Sequence, residues 1–289
     1  PFTGVLGNKS LTGTVTVKPC DHSTVTAADN GNGTHSTPEC PACGLAGVEN
    51  QAHDWTETTP CTVCGAVAVA KVVNGSTTTY VGALADAFTE GNSGATVTLL
   101  SEVDLGSNYI GIRGSSTFTL DLNGQTVKAA DYGAFNILGG SLTIQDSGTG
   151  GKIESSNITI KVNSGTLSIK SGTVSGYWGV EISGGTVAIS GDAVISGGDT
   201  GLRVTGAGKA TLSGGTFSGT AAITANNYGS VTLKNLLAEG YAYHRNNLPV
   251  TKAEGWVDSN TWGEVSLDTK ATLTGTVTVK KCNHTGEGV

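Results

Sequence analysis

Eight side chains between positions 20 and 64 can bind a soft metal ion: Cys20, His22, His35, Cys40, Cys43, His53, Cys61 and Cys64. Four of them form two C-x2-C pairs, CPACG at 40–44 and CTVCG at 61–65. That spacing lets two thiolates face one ion, and the following glycine permits the tight turn that aims backbone N–H groups at sulfur. Zn²⁺ takes four nitrogen or sulfur ligands, so two tetrahedral sites are arithmetically possible. The expected grouping is Cys20, His22, Cys40 and Cys43 for one ion, and His35, His53, Cys61 and Cys64 for the other. Such zinc would be structural, because protein ligands are at hand for every coordination position. Residues 20–66 are poor in aliphatic side chains and need a staple to fold. Disulfides are the competing expectation for an extracellular chain. Redox catalysis is a third, and it lacks the βαβ pattern a thioredoxin-like unit would place around a C-x2-C.

A second set of candidates is aromatic. Tyr109, Tyr132, Tyr177 and Trp178 each fall in a turn ahead of an apolar pair, where exposed rings could stack on sugar faces or anchor a protein partner. The bland alternative is that each ring covers the edge of a neighbouring strand. Tyr228 also precedes an apolar pair, but of a different series. Tyr241, Tyr243, Trp256 and Trp262 are expected to form a small core near the C-terminus.

Catalytic signals are absent by comparison. No G-x-S-x-G, H-E-x-x-H or phosphate-binding loop occurs. Glycoside hydrolysis requires two carboxyl groups, and the only acid in the outward columns flanking the first apolar series is Asp121. Asp121 stands beside Asn123-Gly124, so turn chemistry explains it better than catalysis. No paired carboxylates are expected in any outward column, and the chain is not expected to be an enzyme.

The elements that must carry these residues follow from composition and periodicity. The 289 residues include 44 Gly but only 13 % charged residues, and Thr and Ser abound. That mixture favours short strands joined by turns over helices. The net charge is −7, with three Arg (Arg113, Arg203, Arg245) and no basic patch, which makes nucleic acid an unsuitable partner. No apolar run approaches the roughly 18 residues of a membrane helix.

Three series of short apolar positions, two of pairs and one of single residues, recur every 20–25 residues through the middle of the chain. The first runs Val97/Leu99, Leu120/Leu122, Leu142/Ile144, Leu167/Ile169, Val187/Ile189, Ala210/Leu212 and Val231/Leu233. The second is Val127, Ile153, Val174, Ile195 and Phe217. The third is Ile110/Ile112, Phe135/Ile137, Ile158/Ile160, Val180/Ile182, Leu202/Val204 and Ala222/Ile223. Three strands per period, about seven times over, predict an all-β fold: a right-handed, three-sheeted parallel β-helix with these residues stacked inside. A two-sheet sandwich would not hold three series in register. Leu84, Ala87 and Phe88 share one helical face and predict a short helix capping the first rung.

The ends repeat. Leu11–Lys18 and Leu273–Lys280 both read LTGTVTVK, followed by Cys20-Asp21-His22 and Cys282-Asn283-His284. The offset of 273 − 11 = 262 residues points to one unit of a larger repeat, the chain being a piece of a longer protein. The expected organisation is 1–19 as the end of a preceding repeat and 20–66 as a Cys/His zinc module. Residues 67–94 are a linker and capping helix, and 95–233 the β-helix. Residues 234–281 are a small C-terminal β tail, and 282–289 the start of the next repeat.

The run from Tyr80 through L-x-D-A-F at 84–88, TVTLLSEVDL at 96–105 and FTLDLNGQTV at 118–127 resembles the opening of pectate-lyase-like β-helices. These occur in large repetitive, adhesin-like cell-surface proteins of gut Gram-positive anaerobes. The segment 20–66 resembles the small cysteine-rich inserts between modules of such proteins. The resemblance covers residues 20–233 and implies a secreted or surface location, contact with adjacent repeats of the same chain, and no membrane insertion. It leaves two functions open. One is adhesin-like binding of a host glycan, mucin or a host protein such as immunoglobulin. The other is a structural spacer without a ligand. A polysaccharide lyase or glycoside hydrolase is a remote third.

Overall fold

Short strands that alternate Val, Ile or Leu with Thr or Ser bury one side chain in two, and they are stable only if the buried members stack on one another. The computed structural model of this chain resolves that demand by coiling. It describes residues 2–6, 9–13, 25–31, 33–130, 133–239, 244–245, 264–267 and 272–280. The chain divides into two units, one of 1–55 with 59–66 and the other of 56–58 with 67–289. No helix among the described residues is long and apolar enough to cross a membrane.

The larger unit is a β-solenoid whose successive turns pair strand on strand in parallel, along three faces. The first face stacks Thr96–Leu99, Thr117–Asp121, the second half of Phe135–Gln145, the end of Ile158–Ile169, Thr186–Ile189 and Lys209–Leu212. The second stacks Val103–Asp104, Thr126–Ala129, Lys152–Ser155 and the openings of Thr173–Ile182 and Val194–Val204, then Thr216–Ser218. The third begins with Ile110–Ile112 and reaches Ala221–Ala225. Six turns are complete before Ser230–Glu239 opens a seventh.

The predicted inward residues Leu120, Leu142, Leu167, Val187 and Val231 are all fully buried, as are Val127, Ile153, Val174 and Ile195 in the second series. The register differs from the sequence spacing in three places. Leu120 lies beside Ile144, and Phe118 takes the place beside Leu142. On the third face Val180 pairs with Ile160, so the inward pair is Ile160/Val162, and Ile158 lies beside Trp178. Further on, the pair is Ile223/Ala225. Each of the first two slips is by two residues, which preserves the inward or outward sense of every side chain.

The end of the coil is closed by more than a helix. Leu84–Ala87 makes a single turn, burying Leu84 and Ala87. Phe88 follows, its ring edge-on to Phe118 at 5.2 Å and to Phe135 at 5.7 Å. The first-face strand Thr96–Leu99 is covered instead by a hairpin of Ala70–Asn74 and Thr77–Val81, with Ala70–Asn74 running antiparallel to it. Antiparallel pairing satisfies the open N–H and C=O row that would otherwise template aggregation. Beyond residue 233, Glu264–Leu267 and Thr272–Lys280 pair in parallel with solenoid strands and so extend the coil.

Inward truncations on the first face, such as Ile144→Ala, are expected to cost about 2–5 kcal/mol, because the stacked neighbours above and below cannot both collapse into the void. Outward Ser168→Ala on the same face is expected to change stability by less than about 0.5 kcal/mol. Chemical denaturation of the two variants checks the contrast.

Candidate metal centre and solenoid groove

In the smaller unit a three-stranded antiparallel sheet of Ala28–Asp29, Thr34–Thr37 and Val48–Ala52 positions two histidines. His35 sits in the central strand beside Gln51. His53 leaves the end of the third strand, its backbone N–H donating to the Gly33 carbonyl at 3.3 Å. The rings stack with centroids 5.3 Å apart, and Trp55 closes on His53 at 4.0 Å.

The cysteines come from a turn built for close sulfur approach. Gly65 N–H donates to the Cys61 carbonyl at 2.9 Å, and Cys61 N–H donates to the Ala66 carbonyl at 2.8 Å. Gly65 has φ +75°, which a side chain would strain. The loop at 40–45 repeats this bond for bond: Gly44 N–H to Cys40 carbonyl at 2.8 Å, Cys40 N–H to Leu45 carbonyl at 2.9 Å, and Gly44 at φ +69°. The two C-x2-C-G segments therefore share one backbone design.

His35, His53, Cys61 and Cys64 converge, their ligand atoms all within 4.8 Å of one another. Cys61 Sγ is 3.7 Å from His35 Nδ1. Ideal tetrahedral zinc, with bonds of about 2.0–2.3 Å, sets ligand atoms roughly 3.3–3.8 Å apart. Burial adds an independent indication. His35 Nε2 and both ring nitrogens of His53 are buried without a hydrogen-bond partner. Orphaned buried polar atoms are costly, and an ion bound at one nitrogen of each ring would remove part of that cost. The four residues thus fit a metal ion. Cys61 and Cys64 carry unbridged thiols. Burial, with the neighbouring Cys61 thiol, pushes the Cys64 thiol up. A bound cation reverses that preference by favouring thiolate.

Two acids support the cluster. Asp29 Oδ1 lies 3.6 Å from His53 Nε2, placed to orient the ring as a carboxylate behind a metal-bound imidazole does. Asp54 accepts from the Thr62 hydroxyl and from Thr62 N–H, which lower its carboxyl to about 2. This fastens the turn between the two cysteines. Asp54 is depressed, so its contribution is complete above the ordinary carboxylate range and is lost as pH falls toward 2. Neither acid was evident from ligand spacing. Cys40, buried, and Cys43, exposed, lie outside the four-residue cluster, and Cys20 and His22 lie outside the described residues.

The solenoid has its own concavity, a groove of about 590 Å³. Lys128, Glu154, Ser155, Ser175 and Tyr177 line it. Tyr177 is 51 % exposed and stands where the pairing shifts between Gly176 and Trp178. Gly176 is required there, since a Cβ would sit 2.3 Å from Thr159 Oγ1 and 2.6 Å from the Asn157 carbonyl. Trp178 is half-buried: its indole N–H donates to Asp199 Oδ2 at 2.9 Å, and the Arg203 guanidinium lies 4.0 Å over its ring. Tyr109 is exposed but belongs to the first turn of the third face, three turns from Tyr177. Tyr132 lies outside the described residues, as do Tyr241, Tyr243, Trp256, Trp262, Cys282 and His284.

One expectation is overturned. An outward column does contain two acids: Asp104 lies beside Lys128, which lies beside Glu154 on the second face. Two turns separate the carboxylates by about 9.6 Å of stacking, and a lysine stands between them. The residue after each second-series apolar position is the signal that reveals this column. Asp121, by contrast, is a turn residue, its Oδ1 accepting from Asn123 N–H at 3.0 Å and Ser147 N–H at 2.9 Å.

Fold and site together define an all-β solenoid joined to a Cys/His module that can hold a metal ion. No protein family, curated sequence or solved structure matches the chain.

Metal analysis of the purified chain is expected to find bound ion, and Cys64→Ser or His53→Ala to lower the content by one equivalent. Chelation is expected to unfold residues 25–66 while the far-ultraviolet β signal of the solenoid remains.

Proposed function

We propose that this chain is a non-catalytic repeat module of a large secreted bacterial surface protein. Its solenoid flank binds host glycan, and its Cys/His unit is stapled by structural zinc. The observation that carries the binding reading is Tyr177, half-exposed at a shift in strand pairing and lining a groove of about 590 Å³ that mixes apolar surface with a few polar groups. The groove is shallow and open to solvent, so a ligand would lie along it and not be enclosed. A chain serving only as a spacer has no need of an exposed ring over a concavity.

Zinc is favoured over other ions by the mixed donor set, two thiols and two imidazoles in a compact cluster. When bound, the ion would supply cross-linking and charge, with no open position for chemistry. Cys40 and Cys43, in a second turn built like that of Cys61 and Cys64, are suited to a second ion, with Cys20 and His22 as its expected further ligands. The 262-residue echo of LTGTVTVK and Cys-x-His supports a tandem array of such units. The pectate-lyase-like, adhesin-like resemblance supports the surface location.

The non-catalytic reading is supported by the partners of the acids in the outward column. Lys128 separates its two carboxylates, Glu154 Oε2 is held by Lys152 at 2.5 Å, and Asp104 Oδ1 accepts the Gly106 N–H at 2.8 Å.

The test is to present the intact chain to arrayed glycans and to immobilised mucin and immunoglobulin. Glycan binding is expected, and Tyr177→Ala is expected to weaken it about 30-fold, the equivalent of about 2 kcal/mol. Melting temperature should hardly change. Binding to immunoglobulin alone would replace the glycan reading with a protein partner. Binding to nothing would leave the spacer role, and a reproducible cleavage product would make the chain an enzyme.

A further inference from the structure

The two lysines beside the groove are each paired with a carboxylate. Lys128 Nζ reaches Glu102 Oε1 at 2.6 Å, and Lys152 Nζ reaches Glu154 Oε2 at 2.5 Å. Asp104 lies beside Lys128 in the same outward column. Three carboxylates (Glu102, Asp104, Glu154) thus meet two ammonium groups (Lys128, Lys152), leaving −3 + 2 = −1 on this flank. Glu102, then Glu154 and Asp104, hold the Lys128 ammonium above the ordinary lysine range. Both lysines thus already have carboxylate partners, and an incoming carboxylate or sulfate would have to compete with them on a flank whose named charges sum to −1.

The remaining chemistry is that of paired donors and acceptors. An ion pair at the surface presents ammonium hydrogens and carboxylate lone pairs side by side. A sugar hydroxyl uses both, because it accepts and donates at once. Ser175 adds another hydroxyl to the lining, and Tyr177 supplies a ring. Aromatic rings receive the C–H face of a pyranose, which is apolar, while the rim hydroxyls turn to polar neighbours. Gly198 keeps this approach open: a Cβ there would lie 3.8 Å from Tyr177 Cδ2, at ordinary contact distance, and its backbone is not in the left-handed region.

We propose that the groove selects neutral oligosaccharides, one pyranose stacking on Tyr177 while its hydroxyls bridge Lys128, Glu154 and Ser175, and that it excludes uronate, sulfated and sialylated glycans. This rests on the glycan-binding reading above and narrows it to a chemical class.

Titration calorimetry on the intact chain separates the two. The probes are neutral β-glucan, galactan and mannan tetrasaccharides, beside oligogalacturonate, a sulfated galactan fragment and a sialylated tetrasaccharide. At least one neutral probe is expected to bind and every acidic probe to bind at least tenfold more weakly. Tyr177→Ala should weaken the neutral probe by tenfold or more. Gly198→Leu, which fills the groove while leaving Tyr177 in place, should do the same without lowering the melting temperature. Preference for an acidic probe would overturn this inference and leave glycan binding intact. Neutral binding indifferent to both variants would overturn the assignment to this groove. Failure of every glycan to bind would overturn both.

Discussion

The parallel hydrogen-bond ladder between successive turns is the interaction on which the larger unit depends. Each rung contributes only three short strands, and none of them could persist alone. Stacking repeats the same three strands directly above, so every apolar side chain gains a partner of similar shape from the turns on either side. Ile144 rests between Leu120 and Ile169, and Val174 between Ile153 and Ile195. The interior is a set of columns, and burial is complete in nearly all of them. The same ladder also fixes the outer surface. Once Val127 stacks on Ile153, Lys128 must stand beside Glu154. The polar flank is therefore placed by the core, and the groove inherits its geometry from residues that never touch it.

The smaller unit solves the opposite problem. Its strands are short and mostly exposed, and its buried members include His35, Cys40, Trp55 and Cys61. Hydrophobic burial on that scale cannot offset the entropy of ordering a chain. Polar side chains able to hold a metal ion occupy the place of a core, and three histidine nitrogens are buried there without hydrogen-bond partners. The turn at Cys61–Ala66 and its duplicate at Cys40–Leu45 show the same economy: two backbone bonds and one left-handed glycine present each pair of thiols.

Much of this was legible in the residue order. The period and the three inward series follow from spacing, and His35 and His53 are the expected partners of Cys61 and Cys64, though only the fold brings the four together. The exact register was not. Phe118 and Leu120 are both apolar and two apart, so either could face Leu142, and the structure places Phe118 there. Ile158 looked like a core residue, yet it lies beside Trp178, and Val162 takes the inward place. The acid–lysine–acid column is less legible, because single apolar residues, not pairs, mark the second face. The closing hairpin lies within the 67–94 span expected as linker and capping helix, although its β-branched residues and Asn74-Gly75 turn suit two strands.

The orientation of the ladder has a mechanical consequence. Strands lie across the axis of the coil and their hydrogen bonds lie along it. Tension applied between the two ends of the solenoid therefore loads each rung's bonds in line, one interface at a time, and does not shear a whole sheet at once. Turns repeating every 20–25 residues would peel successively, each releasing roughly 70–80 Å of extended chain. The antiparallel strand at Ala70–Asn74 interrupts that repeat at one end of the stack. A coil built this way yields under load by lengthening, rung by rung, and can dissipate a pull without losing all of its folded turns.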